Sequence, residues 1–143
     1  MENTSLNILR ESSKILDHVL HSHFFKFHLE GSGPSSGGPF AQGVYTNGTR
    51  KLELHFRHTL GLVRYHFGNL SMTHDSYMYA VLGPQGGNRY PGFPENPLLA
   101  FENLKSDLEN YSSAFLVGDE KEFARCAEIA KKRESIVGLG RIP

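Results

Sequence analysis

Apolar residues recur along the chain with two periods, one near 3.6 residues and one of two, and the switches between them mark helical and extended stretches. Over Leu6–His21, Ile8, Ser12, Ile15 and Val19 step by four, three and four, with Leu9, Leu16 and Leu20 widening the stripe. The spacing predicts an amphipathic helix capped by Thr4 or Ser5, which must lay its apolar face on a flat apolar surface. Phe24–Leu29 predicts a strand, followed by a flexible Gly/Ser-rich loop over residues 31–38. That loop lacks the Gly-Lys-Ser/Thr of a phosphate cradle and no helical pattern follows it, so nucleotide binding is not expected there.

Asn47-Gly48, lying between Phe40–Thr46 and Thr49–His58, is a two-residue hairpin signal of the type I′ kind. A second tight turn at Leu60-Gly61 leads into Leu62–Phe67, which makes an antiparallel meander with Phe24–Leu29 as a fourth strand. Leu52, Leu54 and Phe56 alternate with Lys51, Glu53, His55 and Arg57, so one sheet face is apolar and the other wet. In this register Gly43 and Ala41 lie opposite Leu52 and Leu54, leaving a trough for a helix.

Beyond Ser71 the helical period returns. Thr73 caps a short helix through Val81 that stops at Gly83-Pro84, and a Pro/Gly-rich loop over residues 84–95 carries Arg89, Tyr90 and Phe93. Asn96-Pro97 starts a helix whose stripe of Phe101, Leu104, Leu108, Tyr111 and Phe115 runs to Gly118. Asp119 and Glu122 form a capping box for a last helix with Phe123, Ala127 and Ala130 inside, and a tail frayed over residues 138–143. The expected fold is a single α+β domain over residues 1–143: an antiparallel meander of about four strands packed on one face by an N-terminal helix and two C-terminal helices.

Composition narrows the function classes. With 143 residues, ten Phe and six Tyr, the chain is long and aromatic enough to build a core. Fifteen basic residues balance fifteen acidic ones, which removes the cationic excess that a duplex nucleic-acid binder uses, so no nucleic-acid partner is expected. One cysteine, Cys126, forms no internal disulfide, no apolar run has membrane-span length, and Met1–Thr4 is polar rather than signal-like. A cytoplasmic location without membrane association is the expectation, and there the Asn-x-Ser/Thr sequons carry no meaning.

Eight histidines raise the question of metal. His18, His21 and His23 cluster at the first helix exit, yet they match no recognised zinc spacing, and neither a metal nor another cofactor is expected. Closing the meander at Leu60-Gly61 puts Arg57 opposite Arg64 and His55 opposite His66, beside Glu53 on the wet face. Opposed arginines repel, so Glu53, His55, Arg57, Arg64 and His66 form a candidate surface for a protein partner or small anionic ligand, the plain counterpart being a solvated sheet face. Arg89 and Tyr90 form a second candidate, a charged fork with an aromatic anchor, unless Tyr90 and Phe93 merely pin the loop to the core. His74, Asp75, Asp107 and Glu109 are available for acid–base chemistry, but the last two are read as exposed solubilising charges. Cys126 sits beside the inner stripe as a small apolar residue, and no Gly-x-Ser-x-Gly elbow occurs.

The stretches Leu52–Arg57, Gly61–Val63, His74–Met78, Tyr90–Phe93, Asp107-Leu108 and Phe115–Asp119 resemble a family of small uncharacterised bacterial proteins, covering about half the chain. The helix-then-meander front end is similar to the immunity-protein folds that accompany bacterial toxin systems. The first resemblance brings no catalytic motif, and the second implies a protein partner. The reading is a non-catalytic cytosolic binding protein, immunity-like. A histidine-based metal-dependent or acid–base enzyme competes with it and would need its histidines to converge in a pocket. A structural homo-oligomer is the third reading.

Overall fold

The computed structural model describes residues 4–33, 40–57, 59–92 and 95–140, with side chains as far as Arg133. The first apolar stripe folds as helix α1 (Thr4–Leu20), continued by a 3-10 turn (His21–His23). Leu9, Ser12, Leu16, Val19 and Leu20 are buried beneath it, because residues three and four apart share one face.

A five-stranded antiparallel sheet receives that face, with strands in chain order: β1 (Lys26–Gly33), β2 (Phe40–Asn47), β3 (Arg50–Arg57), β4 (Thr59–Phe67) and β5 (Leu70–Thr73). The fold class is α+β as expected, with β5 as an added edge strand. β1 takes in residues 31–33 of the expected loop, and residues 34–38 lie outside the described residues.

Two turns differ from expectation. The β2–β3 hairpin closes on Asn47 opposite Arg50, so its central residues are Gly48 and Thr49 instead of Asn47 and Gly48. Gly48 has φ +59 and Thr49 does not share the positive φ, the pattern of a type II′ turn, which wants glycine in first position. The pairing moves accordingly: Gly43 faces Leu54 and Ala41 faces Phe56. The trough at Gly43 is filled, since a Cβ there would stand 2.6 Å from the Phe27 ring and 3.4 Å from Leu9 of α1. β3 and β4 are joined across residue 58, with Arg57 opposite Thr59, so Leu60-Gly61 is no turn but part of β4. The apolar run Leu60-x-x-Val63-x-Tyr65-x-Phe67 is buried along most of its length, and burying Leu60 outweighs the turn propensity of Gly61.

Helix α2 (His74–Leu82) begins as read, Thr73 Oγ1 accepting the Ser76 N–H at 3.2 Å, and ends at Gly83 with φ +77. Helix α3 (Pro97–Tyr111) is capped by Asn96, which accepts the Leu98 N–H at 2.9 Å. It stops at Ser112, short of the expected Gly118, and a separate four-residue helix α4 (Ser113–Leu116) carries Phe115 inward. Helix α5 (Glu120–Gly140) is capped by Asp119 Oδ1 on the Glu122 N–H at 2.9 Å. Its backbone stays helical through residues 138–140, where fraying was expected, and residues 141–143 lie outside the described residues. Arg50 fastens this corner: its guanidinium donates to the Phe115 carbonyl at 3.1 Å and the Gly118 carbonyl at 2.7 Å while covering the Phe67 ring. Among the described residues no helix is long and apolar enough to cross a membrane.

Candidate functional site

The wet face exists, with partners other than those expected. Arg64 lies opposite Glu53, not Arg57, and His66 lies opposite Lys51. Both registers keep the same residues outward because side chains alternate with period two. The expected clash of arginines is therefore replaced by opposite charges. Glu53 sits at the centre, one carboxylate oxygen meeting His55 Nε2 and the other His66 Nε2 at 2.8 Å. Burial raises the Glu53 pKa, but the two imidazole hydrogen bonds outweigh it and hold the group below the ordinary carboxylate value of 4.5. Arg57 lies apart at the hairpin end, 5.9 Å from the Phe40 ring. The carboxylate that an anionic ligand would bring to these histidines is already supplied by Glu53.

A pKa held down in the folded state contributes stability that is present above the unfolded value and is lost as pH falls through the folded one. Glu53→Gln is expected to cost less than about 1 kcal/mol at neutral pH, given partial exposure. Below the ordinary value of 4.5 the wild-type and variant urea midpoints converge as the carboxylate protonates. Parallel midpoint curves down to the acid limit would contradict the assignment.

The buried polar centre lies elsewhere, on the other side of the sheet. Asp107 of α3 is fully buried, which corrects the expectation of an exposed charge: Leu104 and Asp107 are three residues apart and share the inner face. Asp107 Oδ1 accepts the Arg89 N–H at 2.6 Å, and Oδ2 accepts the Tyr90 N–H at 2.8 Å and meets His74 Nε2 at 2.9 Å. His74, at the β5–α2 junction, is buried too, and its Nδ1 lies 2.7 Å from the Tyr65 hydroxyl, which reaches Ser112 Oγ at 3.3 Å. The tautomer that satisfies every atom carries the proton on Nε2, donating to Asp107, while Tyr65 donates to Nδ1 and accepts from Ser112. Burial pushes the Tyr65 hydroxyl well above its ordinary range, so it stays protonated to play this part.

Beside this network opens a cavity of about 480 Å³ between the first half of β4, the β5–α2 junction, Tyr90-Pro91 and Ala100 of α3. Leu60, Leu62, Val63, Pro91 and Ala100 make its walls mainly apolar, and Thr59, Thr73 and His74 add polar points. Among the described residues its one charged lining residue is Asp75, which pairs with Arg133 at 2.8 Å. Tyr90 is 6% exposed and donates its hydroxyl toward the Leu60 and Gly61 carbonyls, so it closes the cavity wall instead of standing out as an anchor. Burial raises its pKa. Arg89 is exposed at the surface, held through its backbone, and Phe93 lies outside the described residues.

The remaining candidates stay apart from this cavity. His21 meets Asp17 at 3.5 Å, and among the described residues no group of three or more His, Cys, Asp or Glu is placed to hold a metal ion. Cys126 is half-buried against the core, and burial pushes its thiol pKa up, away from nucleophilic use. Sequence reasoning missed Asp107 as a partner of His74; the signal was its three-residue spacing from Leu104 on the inner stripe. No family model, curated protein or solved structure matches the chain, so the site is read from its own geometry.

Proposed function

We propose that this chain is a non-catalytic binding protein whose cavity beside His74 takes a small, uncharged, mainly apolar molecule bearing a single hydrogen-bonding group. The observation that carries the reading is the wall itself. His74, the natural acid–base residue of the cavity, has both ring nitrogens engaged, one by Asp107 and one by Tyr65, so it offers a ligand neither a free proton nor a free lone pair. Its role is to fix the wall: Asp107 holds Arg89 and Tyr90 by their backbone while His74 ties that carboxylate to the sheet through Tyr65. Apolar walls with few polar points suit recognition by shape and desolvation. The internal carboxylate on the wet face supports placing the ligand here in preference to an anion there.

Titration with indole and with octanol, followed by amide chemical shifts, tests the reading. Perturbation centred on Leu60, Val63 and Ala100 is expected, together with a ligand-dependent stabilisation of about 2.7 kcal/mol at a hundredfold excess over Kd, read as a rise in melting temperature. Ala100→Phe, which fills the cavity from α3, is expected to keep the fold and abolish both effects. Shifts confined to the Glu53 face, or an unchanged response in the filled variant, would reject the cavity as the site.

A further inference from the structure

Phe24 is in the left-handed region, φ +66 and ψ +24, and it is the one non-glycine residue with positive φ among those described. This is the position after a helical turn that glycine or asparagine fills without strain, and a bulky side chain there is costly. Its ring is also 82% exposed, so packing within the chain does not compensate. Strain together with an exposed aromatic points to a contact outside the protomer. Phe24 lies two residues before β1, an edge strand of eight residues on whose outer side no described strand pairs.

We propose that β1 pairs antiparallel with β1 of a second copy of this chain, about a two-fold axis at His28. The strand's charges are self-complementary in that register alone: Lys26 of each copy faces Glu30 of the other, and Phe27 faces Leu29. Lys26 and Glu30 are both exposed and take no ion pair among the described residues. A lysine on an edge strand ordinarily guards against pairing, and here the second copy's Glu30 removes that guard. The bulge at Glu30 confines the shared ladder to residues 26–30. Beyond it Phe24 comes over Gly31–Gly33 of the other copy, where Gly31 has open space in place of a Cβ contact. Small residues thus meet the exposed ring at each end of the ladder, which accounts for a phenylalanine where glycine fits the backbone better.

Sedimentation equilibrium over a wide protein concentration range, with melting curves as the folding control, tests this. The wild type is expected to show a monomer–dimer equilibrium. Lys26→Glu or Glu30→Lys alone each places like charges at both symmetry-related pairs and is expected to weaken the dimer by about tenfold or more. The double reversal restores the attraction and the dimer, which a misfolded variant would not do. Phe24→Gly is expected to raise the monomer's melting temperature while weakening the dimer, two opposite shifts that a merely structural residue would not give. A monomer at every concentration overturns the proposal, as does a dimer indifferent to both single reversals or not recovered in the double variant.

Discussion

Asp107→Ala is expected to lower the free energy of unfolding by about 3–5 kcal/mol, the range for removing one partner from a buried, hydrogen-bonded pair. Three donors lose their acceptor at once: the Arg89 and Tyr90 backbone N–H groups and His74 Nε2. The Tyr90 N–H and His74 Nε2 are left in buried sites and the Arg89 N–H in a part-buried one, and an unpaired buried donor is what makes such losses large. The change reads as a lower urea midpoint, with faster tryptic cleavage at Arg89 once the loop is released. Asp107→Asn is expected to recover only part of the loss, because either amide orientation turns an NH₂ toward an N–H donor. Glu109→Ala, two residues on and exposed, is the control, within about 0.5 kcal/mol of wild type. A loss below about 1 kcal/mol in Asp107→Ala would mean that the network contributes no more than one ordinary hydrogen bond.

Phe115→Ala should cost about as much, roughly 3–5 kcal/mol, by a different mechanism: a cavity at the meeting point of the aromatic core. Phe115 is fully buried, with its ring 5.3 Å from Phe25, 4.9 Å from Tyr65 and 6.2 Å from Phe123. Its own N–H donates to the Tyr77 hydroxyl at 3.0 Å, so the backbone of α4 stays pinned and cannot collapse into the space left behind. A site that cannot relax sits at the upper end of the range for aromatic truncation. Val117→Ala, two residues away and 63% exposed, is expected to change stability by less than about 0.5 kcal/mol. Urea unfolding with an unchanged slope checks the pair, and equal losses at both positions would refute α4 as a core anchor.

Phe115 also shows how far the sequence pattern carries. Its spacing from Leu108 and Tyr111 continues the α3 stripe, and the prediction that it is buried holds. The continuous helix through it does not: Ser112, buried and within reach of Tyr65, interrupts the helix, and α4 begins after it as a separate element. Periodicity reports which residues face inward. It does not report where a helix is interrupted when a side chain finds a partner across the core.

The same division runs through the sheet. The alternation in β3 identified its two faces correctly, and those faces survived a change of register because alternate side chains share a face whichever residue lies opposite. Partner identity did not survive: Glu53, not Arg57, faces Arg64, since burying Leu60 in β4 prevailed over the turn suggested by Gly61.

From the chain alone came the α+β class, the first helix, the first hairpin though not its register, and the caps at Thr73, Asn96 and Asp119, the caps being set by neighbours within a few residues. The site came from the tertiary structure. Asp107 reaches His74 across 33 residues and Tyr90 across 17, and no local pattern encodes a contact at such a separation. A buried carboxylate reads in sequence as a surface charge until the fold brings three N–H donors to it, because its desolvation is tolerated only where those hydrogen bonds replace water.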